Sequence, residues 1–387
     1  MKKIDDILIY RDENYFCAFP SIVRMSDGKL AVAFRRAPER RPYGGRCTHA
    51  DPNAQLVLVR STDSGQTWTQ NPDLIHAHAL GGSQDPCMTL LHDKTIICAS
   101  YLWVLQQPRC PAGGVFDNSG WKHTFAGGYL MRSHDGGHRW EGPILPPPVP
   151  GSVALDAFNQ PLPAYNRGNI LVGSDNLLYW AVVCTDKRKQ PGTGGTVTSV
   201  HLMVSADGGD SWKYRCPIAV EEKVGFNETY LYETAGGDLV AFLRTADGTG
   251  KVPGAIARSR NRGKSFEPWQ NAGFTGHPHC AARLNDGRVL LAYGYRKEPY
   301  GIRARVLDTE CTNAGSAPEI ILREDGGSPD LGYPWPVVFP DGRVLVVYYF
   351  NRKDDIPATW PESATADTEG MTAQGGIRFI AGTWMEP

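Results

Sequence analysis

An eight-residue phrase that recurs along the chain constrains the fold more than any other feature. It reads Ser61-Thr62-Asp63-Ser64-Gly65-Gln66-Thr67-Trp68, then Ser133-His134-Asp135-Gly136-Gly137-His138-Arg139-Trp140, then Ser205-Ala206-Asp207-Gly208-Gly209-Asp210-Ser211-Trp212, with a weaker copy at Ser259-Arg260-Asn261-Arg262-Gly263-Lys264-Ser265-Phe266. Each copy follows a short apolar run, such as Leu56–Val59 or Val200–Val204. Asp or Asn suits a turn because its side chain bonds nearby backbone amides, and Gly two residues on tolerates positive φ. The aromatic residue then returns to bury a large ring beneath the hairpin. Strand, tight turn and aromatic, used again and again, mean one supersecondary unit repeated along the chain.

A second repeat sets the number of units. A polar turn followed by an apolar run occurs at Ser26-Asp27-Gly28, His92-Asp93-Lys94, Ser174-Asp175-Asn176, Gly237-Asp238, Asn285-Asp286-Gly287 and Pro340-Asp341-Gly342. The first phrase follows each of the first four of these. A fifth copy is eroded at Leu307-Asp308-Thr309-Glu310, and no sixth is legible. Six units of short strands closed in a ring predict an all-β fold, a six-bladed β-propeller occupying residues 1–387 as a single domain. Ile7–Tyr10 and Gly376–Trp384 are both strand-like and suited to share the last blade.

Composition narrows the function classes. The 387 residues are 41% hydrophobic with 43 Gly and 29 Pro, which such a fold uses in turns. A net charge of −1 gives no support for binding nucleic acid or an anionic membrane surface. No run reaches the roughly 18–20 apolar residues of a spanning helix. Nine irregularly spaced Cys read as reduced, mostly buried thiols, and the start Met1-Lys2-Lys3-Ile4-Asp5-Asp6 is too acidic for a signal peptide. A cytoplasmic location is expected, or a secreted one if a leader has been removed. The oligomeric state is not legible.

A propeller alone says nothing about chemistry. Three stretches carry residues that the fold does not need. His49-Ala50-Asp51-Pro52 precedes the first phrase, and Asp51 either initiates a turn or reaches the central funnel. In Phe226-Asn227-Glu228-Thr229-Tyr230-Leu231-Tyr232-Glu233, strand alternation places Glu228, Tyr230 and Tyr232 on one face. Arg244 ends the next strand of that hairpin, so Glu228 and Arg244 form either an ordinary ion pair or part of a site. In Asp330-Leu331-Gly332-Tyr333-Pro334, Tyr333 is a packing aromatic or a phenol aimed at a pocket.

Taken together, these stretches resemble the sialidase superfamily of glycoside hydrolases over nearly the whole chain. The repeated phrase is similar to that family's Asp-box, which also occurs in non-catalytic propellers. By resemblance Asp51 matches the acid/base Asp, Glu228 and Arg244 match the family's Glu and one Arg of its carboxylate-binding triad, and Tyr333 matches its nucleophilic Tyr. The chemistry explains the residue types. A carboxylate nucleophile is repelled by a sugar bearing a carboxylate on its anomeric carbon, whereas a neutral phenol is not. A phenol with pKa near ~10 needs a base, the role of Glu228. Arginines hold the substrate carboxylate in planar pairs, and Asp51 protonates the leaving oxygen. Sialidases are the tyrosine-nucleophile exception among glycosidases that otherwise use two carboxylates.

One departure from the family matters. Its first triad Arg falls in Phe16-Cys17-Ala18-Phe19-Pro20, where the position is Ala18. Arg35 or Arg36 is expected either to supply a relocated guanidinium or to form a solvated basic loop with Arg40 and Arg41. Arg303 is the first choice for the remaining triad Arg and Arg296 the second. The expected activity is an exo-acting retaining hydrolase releasing a terminal acidic sugar, sialic acid or a related 2-keto acid sugar. A lyase or hydrolase acting on a uronic-acid-containing glycan, and a non-catalytic glycan-binding propeller, are the alternatives. Gln84 and Asp85 either contact a sugar hydroxyl or form a turn, His277 lies near substrate, and Trp103 and Trp121 offer an aromatic platform. His277, His279 and Cys280, like Cys47 and His49, lack the paired spacing of a zinc site, so no metal and no cofactor are expected.

Overall fold

The computed structural model describes residues 1–43, 49–105, 115–116, 123–156, 159–189, 196–246, 253–361 and 375–387. They form six antiparallel sheets. Blade 1 runs from its inner strand outward as Tyr15–Arg24, Leu30–Pro38, Gln55–Ser61 and Asp73–His76; blade 3 as Ile170–Val172, Leu178–Lys189, Thr196–Ser205 and Lys213–Ala219. Blade 4 is Gly225–Glu233, Leu239–Ala246, Ala255–Ser259 and Gln270–Asn271, and blade 5 is His279–Arg283, Val289–Tyr295, Gly301–Leu307 and Glu319–Arg323. In blade 2 the inner edge is split into Gly81–Ser83 and Cys87–Leu90, both paired with Ile96–Leu105. Inner strands of successive blades touch one another around the ring.

The ring closes by joining the chain ends. Gly332–Val338, Val344–Phe350 and Phe379–Glu386 form three strands of blade 6, and Lys2–Tyr10 supplies the fourth, with Ile7 opposite Gly382. Closure leaves the inner edge of each blade short and enclosed within the ring.

Both repeats lie at the same end of the ring. The polar Asp turns join the first and second strands of each blade, and the Asp-box joins the third and fourth. Within the box, Ser61 Oγ accepts the Gly65 amide at 2.8 Å and Asp63 Oδ1 accepts the Thr67 amide at 2.9 Å. The same bonds recur at Ser133 and Asp135, Ser205 and Asp207, and Ser259 and Asn261. Each contributes about 0.5–1.5 kcal/mol net. The box then returns Trp68 and Trp212 to near-complete burial. The eroded fifth copy keeps the device without its serine: Asp308 still accepts the Thr312 amide at 2.9 Å and the Thr312 hydroxyl at 2.5 Å. Blade 6 has no copy for a topological reason, since its third and fourth strands come from opposite ends of the chain.

The core lies between blades, so the middle strands are apolar on both faces. In the second strand of blade 1, Leu30, Val32 and Phe34 pack with Leu345 and Val347 of blade 6, while Ala31 and Ala33 pack with Met88 and Cys98 of blade 2. The seven described cysteines are free thiols and buried. No helix of the described residues is long and apolar enough to cross a membrane.

Candidate functional site

In an antiparallel meander, the first-to-second and third-to-fourth turns share one end of the blade. The other end therefore collects the starts of the inner strands and the ends of the second strands. Glu228 and Tyr333 lie at the starts of inner strands, Arg167 and His277 just ahead of them, Arg244 near the end of a second strand and Arg296 just past one. The chemistry-bearing residues thus gather opposite the Asp-boxes.

At the centre the Tyr333 hydroxyl donates to Glu228 Oε1 at 2.6 Å, and Arg244 Nη1 lies 2.7 Å from the same oxygen. Strand alternation does not aim Glu228, contrary to the sequence expectation. The pairing with the neighbouring strand shifts between Asn227 and Tyr230, and Glu228 takes φ 39° in the resulting bulge. Burial alone would raise the Glu228 carboxyl, but the Arg244 charge, its hydrogen bond, the Tyr333 hydroxyl and Arg296 outweigh it and hold the carboxyl below its ordinary value. Burial, then the charges of Glu228 and Asp85, push the Tyr333 phenol well above its usual range. The pair is therefore an ionised carboxylate accepting a hydrogen bond from a neutral phenol.

Three guanidiniums surround this pair. Arg296 stacks over the Tyr333 ring at 5.5 Å, and its Nε and Nη2, shut off from solvent, have no hydrogen-bond partner among the described residues. Arg167 lies over the rings of Tyr333 at 4.7 Å and Trp335 at 5.3 Å, donating to the Pro20 carbonyl at 3.2 Å. Asp85 Oδ2 stands 4.0 Å from Arg167 and accepts the Tyr101 hydroxyl at 2.8 Å. Burial raises Asp85 to about 6, against the opposing charge of Arg167. His277 is held well below its usual value by burial and by Arg244 and Arg296, so it is neutral. Beside Asp85, the half-buried rings of Tyr101, Trp103, Phe125 and Tyr165 form an aromatic wall, with Phe125 4.9 Å from Trp103 and 4.5 Å from Tyr165.

Other expected residues stand elsewhere. Arg303, preferred from the sequence over Arg296, is buried in the third strand of blade 5, bonded to the Arg323 carbonyl, 3.6 Å from Glu319 and stacked on Tyr295 at 4.8 Å. The order of preference is thus reversed by register: position 303 lies within a strand, whereas position 296 lies past the strand end facing the funnel. Arg35 stands directly opposite Ala18 across the first hairpin of blade 1, and Arg36 stands opposite Cys17. Arg35 is fully buried against Phe16, and Arg36 stacks on Tyr15 at 4.4 Å and reaches the Tyr10 hydroxyl at 3.4 Å. Beside Tyr333 the wall is Phe19, whose ring centroid is 4.7 Å away.

Asp51 is only 2% exposed, and its carboxylate is gripped by Arg40 Nε at 2.5 Å and Nη2 at 3.1 Å, with the Asn53 amide at 2.8 Å. Gln84 supports that loop by donating Nε2 to the His49 carbonyl. The loop passes so close that a Cβ on Gly82 would meet the Asp51 carbonyl oxygen at 1.7 Å. Trp121 and Cys47 lie outside the described residues. Among the described residues no three His, Cys, Asp or Glu side chains cluster closely enough to hold a metal ion.

Sequence reasoning passed over two features of this end. One is Arg167, in the polar run Asn166-Arg167-Gly168-Asn169 just ahead of the inner strand of blade 3. The other is a buried network around Asp330, which accepts the Tyr349 hydroxyl at 2.8 Å, Arg378 Nε at 3.2 Å and His49 Nε2 at 3.1 Å. A groove of about 530 Å³ along blade 6 is a weaker candidate, because its charges neutralise each other in pairs such as Arg323–Asp325 and Arg11–Asp355.

Comparison with known proteins bears on the fold and the family. No curated protein sequence matches the chain. A crystal structure of a protein of unknown function from Dyadobacter fermentans DSM 18053 is 46% identical, with a TM-score of 0.88 over 99% of this chain and 98% of that one. The NanB sialidase from Streptococcus pneumoniae superimposes with a TM-score of 0.66 at 11% identity, over 98% of this chain and 70% of that one. The Trypanosoma rangeli sialidase in complex with the inhibitor DANA gives 0.62 at 13% identity, over 100% of this chain and 58% of that one. At those identities the two sialidases show a shared six-bladed fold and no more. Residues 115–346 match the family model of the BNR repeat-like domain. The chain therefore belongs to the BNR repeat-like domain family, with a sialidase-like six-bladed propeller.

Proposed function

We propose that this protein is an exo-acting retaining glycoside hydrolase that releases a terminal acidic sugar, sialic acid or a related 2-keto acid sugar, through a tyrosyl-enzyme intermediate. The observation that carries the reading is the 2.6 Å hydrogen bond from the Tyr333 phenol to an ionised Glu228 within a ring of arginines. As Tyr333 Oη attacks the anomeric carbon, its proton passes to Glu228, so no free phenolate need form in a buried site. Arg167 beneath the ring stabilises charge building on the phenol oxygen. Arg244, Arg296, Arg167 and Arg378 set four guanidiniums against the carboxylates of Glu228, Asp85 and Asp330, an excess that favours an anionic ligand.

The unpartnered Nε and Nη2 of Arg296 suit a substrate carboxylate, with Arg244 beside it. Substrate recognition then rests on Arg244 of blade 4 and Arg296 of blade 5, with Ala18 where the family has its arginine in blade 1. That shift favours acidic 2-keto sugars beyond standard sialosides. The aromatic wall beside Asp85 offers a face on which a sugar ring can stack.

The test is a screen of aryl glycosides of sialic acid, other ulosonic acids and uronic acids against wild type, Tyr333→Phe and Asp51→Ala. The reading expects release from a ulosonic acid glycoside, with retention, lost in Tyr333→Phe. Equal rates for wild type and Tyr333→Phe would sink it. An unsaturated product absorbing in the ultraviolet would indicate a lyase.

A further inference from the structure

We infer that His49, held by Asp330, is the proton donor to the leaving oxygen and the base that activates water; this rests on the tyrosyl-intermediate reading above. Asp330 is fully buried, and the Tyr349 hydroxyl and the Arg378 guanidinium fix it from two sides. Its Oδ1 faces His49 Nε2 at 3.1 Å. Burial would raise this carboxyl, but the His49 and Arg378 charges hold it well below the carboxylate range. An ionised Asp330 selects the tautomer in which Nε2–H donates to it, leaving Nδ1 to exchange a proton with substrate. This is the arrangement of an acid–base histidine backed by a carboxylate.

Position supports the same role. The His49 side chain is 32% exposed, whereas that of Asp51 is 3% exposed and clamped by Arg40. The imidazole packs edge-on against Phe19 at 4.8 Å, and Phe19 packs against Tyr333 at 4.7 Å, so imidazole and phenol line one wall. Gln84 anchors the His49 backbone. In the first step the His49 imidazolium gives its Nδ1 proton to the glycosidic oxygen as the C–O bond breaks, while Tyr333 bonds the anomeric carbon and yields its proton to Glu228. In the second step neutral His49 takes a proton from the attacking water as the Tyr333–carbon bond breaks, and Glu228 returns its proton to the phenol. Every proton is restored, with water consumed and sugar and alcohol formed.

The test compares wild type, His49→Gln and Asp51→Asn on a methyl and a 2,4-dinitrophenyl glycoside of the same acidic sugar. A 3-fluoro glycosyl fluoride serves as a trap read by intact mass. His49→Gln should lose about 10²–10⁴-fold on the methyl glycoside and less than about 10-fold on the dinitrophenyl one. Azide should restore its turnover as a glycosyl azide, and labelling by the fluoride should match wild type, because fluoride leaves without a proton donor. His49→Ala gives the same comparison if His49→Gln melts below wild type. Wild-type cleavage of the methyl glycoside by either His49 variant overturns the assignment. So does a leaving-group-dependent, azide-rescued loss in Asp51→Asn instead. If wild type takes no adduct on Tyr333, the tyrosyl reading itself falls and this assignment falls with it. An adduct on Tyr333 together with unimpaired His49 variants removes this assignment alone.

Discussion

Replacing Arg296 with Met should make the protein more stable and less able to bind an acidic ligand. Two guanidinium nitrogens of Arg296 are shut off from solvent without a hydrogen-bond partner among the described residues. A buried polar atom left unsatisfied costs about 1–3 kcal/mol, so the two together cost roughly 2–6 kcal/mol. Methionine keeps most of the volume but forfeits the stack on Tyr333, worth about 0.5–2 kcal/mol. The balance is a gain of roughly 0–5.5 kcal/mol, read as a rise of a few degrees in melting temperature. Relief of the repulsion with Arg244 adds to the gain, while the lost attraction to Asp330 and Glu228 subtracts from it. The same substitution removes two charge-assisted bonds to a substrate carboxylate, each worth about 1.5–3 kcal/mol, and so lowers kcat/KM about 10²–10⁴-fold. Melting curves with and without a free 2-keto acid sugar give an independent readout. Ligand at 100 times Kd stabilises wild type by about 2.7 kcal/mol and should barely move the variant. A variant that melts below wild type, or that the sugar stabilises equally, would refute the argument that Arg296 is held uncompensated for an anion.

Further expectations concern the neighbouring groups. Tyr333→Phe should cost activity on the order of 10³-fold or more while the melting temperature shifts only by the loss of one hydrogen bond, about 1–3 kcal/mol; substrate turnover and calorimetry on one preparation check both. Asp85, raised to about 6 when folded against about 3.9 unfolded, contributes stability that is fully present below about pH 4 and lost as pH rises through about 6. Relative to Asp85→Asn, wild type should therefore lose about 2–3 kcal/mol between pH 4 and 7.5, and a difference in melting temperature that stays flat with pH would contradict it. Asp63, held at about 2 mainly by the Thr67 hydroxyl and amide and by Ser61, behaves oppositely. Its contribution is present above about pH 4 and disappears as pH falls through about 2, so the advantage of wild type over Asp63→Ala in acid-melting curves should shrink across that range.

The frame was legible because turns and apolar strands have local signatures. Asp63, Gly65 and Trp68 announce their turn, and six Asp turns count the blades. The ring closure by Ile7–Tyr10 was readable from two strand-like ends. Asp308 was underrated because a box is recognised by Ser, Gly and Trp, while the bonds that make its turn centre on Asp308, with Thr312, Asn313 and the Glu310 amide. At the site, Tyr333, Glu228, Arg244 and Asp85 converge, whereas Arg303 does not, because a shift of a few residues along a hairpin decides between strand interior and funnel. Arg167 was missed for a different reason. Its segment has no turn signature, and only the three-dimensional ring shows that the start of every inner strand faces the funnel.

The means by which side chains reach that funnel explains why strand alternation misled. In a regular inner strand, alternate residues point to the two neighbouring blades, and no side chain points along the funnel. A bulge re-aims one residue. Phe19, Asp85, Glu228 and Tyr333 occupy positive φ at 58°, 22°, 39° and 52°, and in blades 1, 4 and 6 the strand register shifts there. In blade 2 the inner edge breaks between Ser83 and Cys87, on either side of Asp85. Such conformations cost about 1–3 kcal/mol each for residues other than glycine and persist where the surroundings over-determine them. Three of the four are followed by proline: Pro20, Pro86 and Pro334. A proline in an inner strand forfeits a ladder hydrogen bond unless it stands at a bulge or its missing N–H faces the open edge, as for Pro336. Phe19-Pro20, Asp85-Pro86 and Tyr333-Pro334 are therefore a sequence trace of funnel positions, and His277-Pro278 stands at the corresponding place ahead of the inner strand of blade 5. The candidate site of this propeller lies where its inner strands fail to be regular.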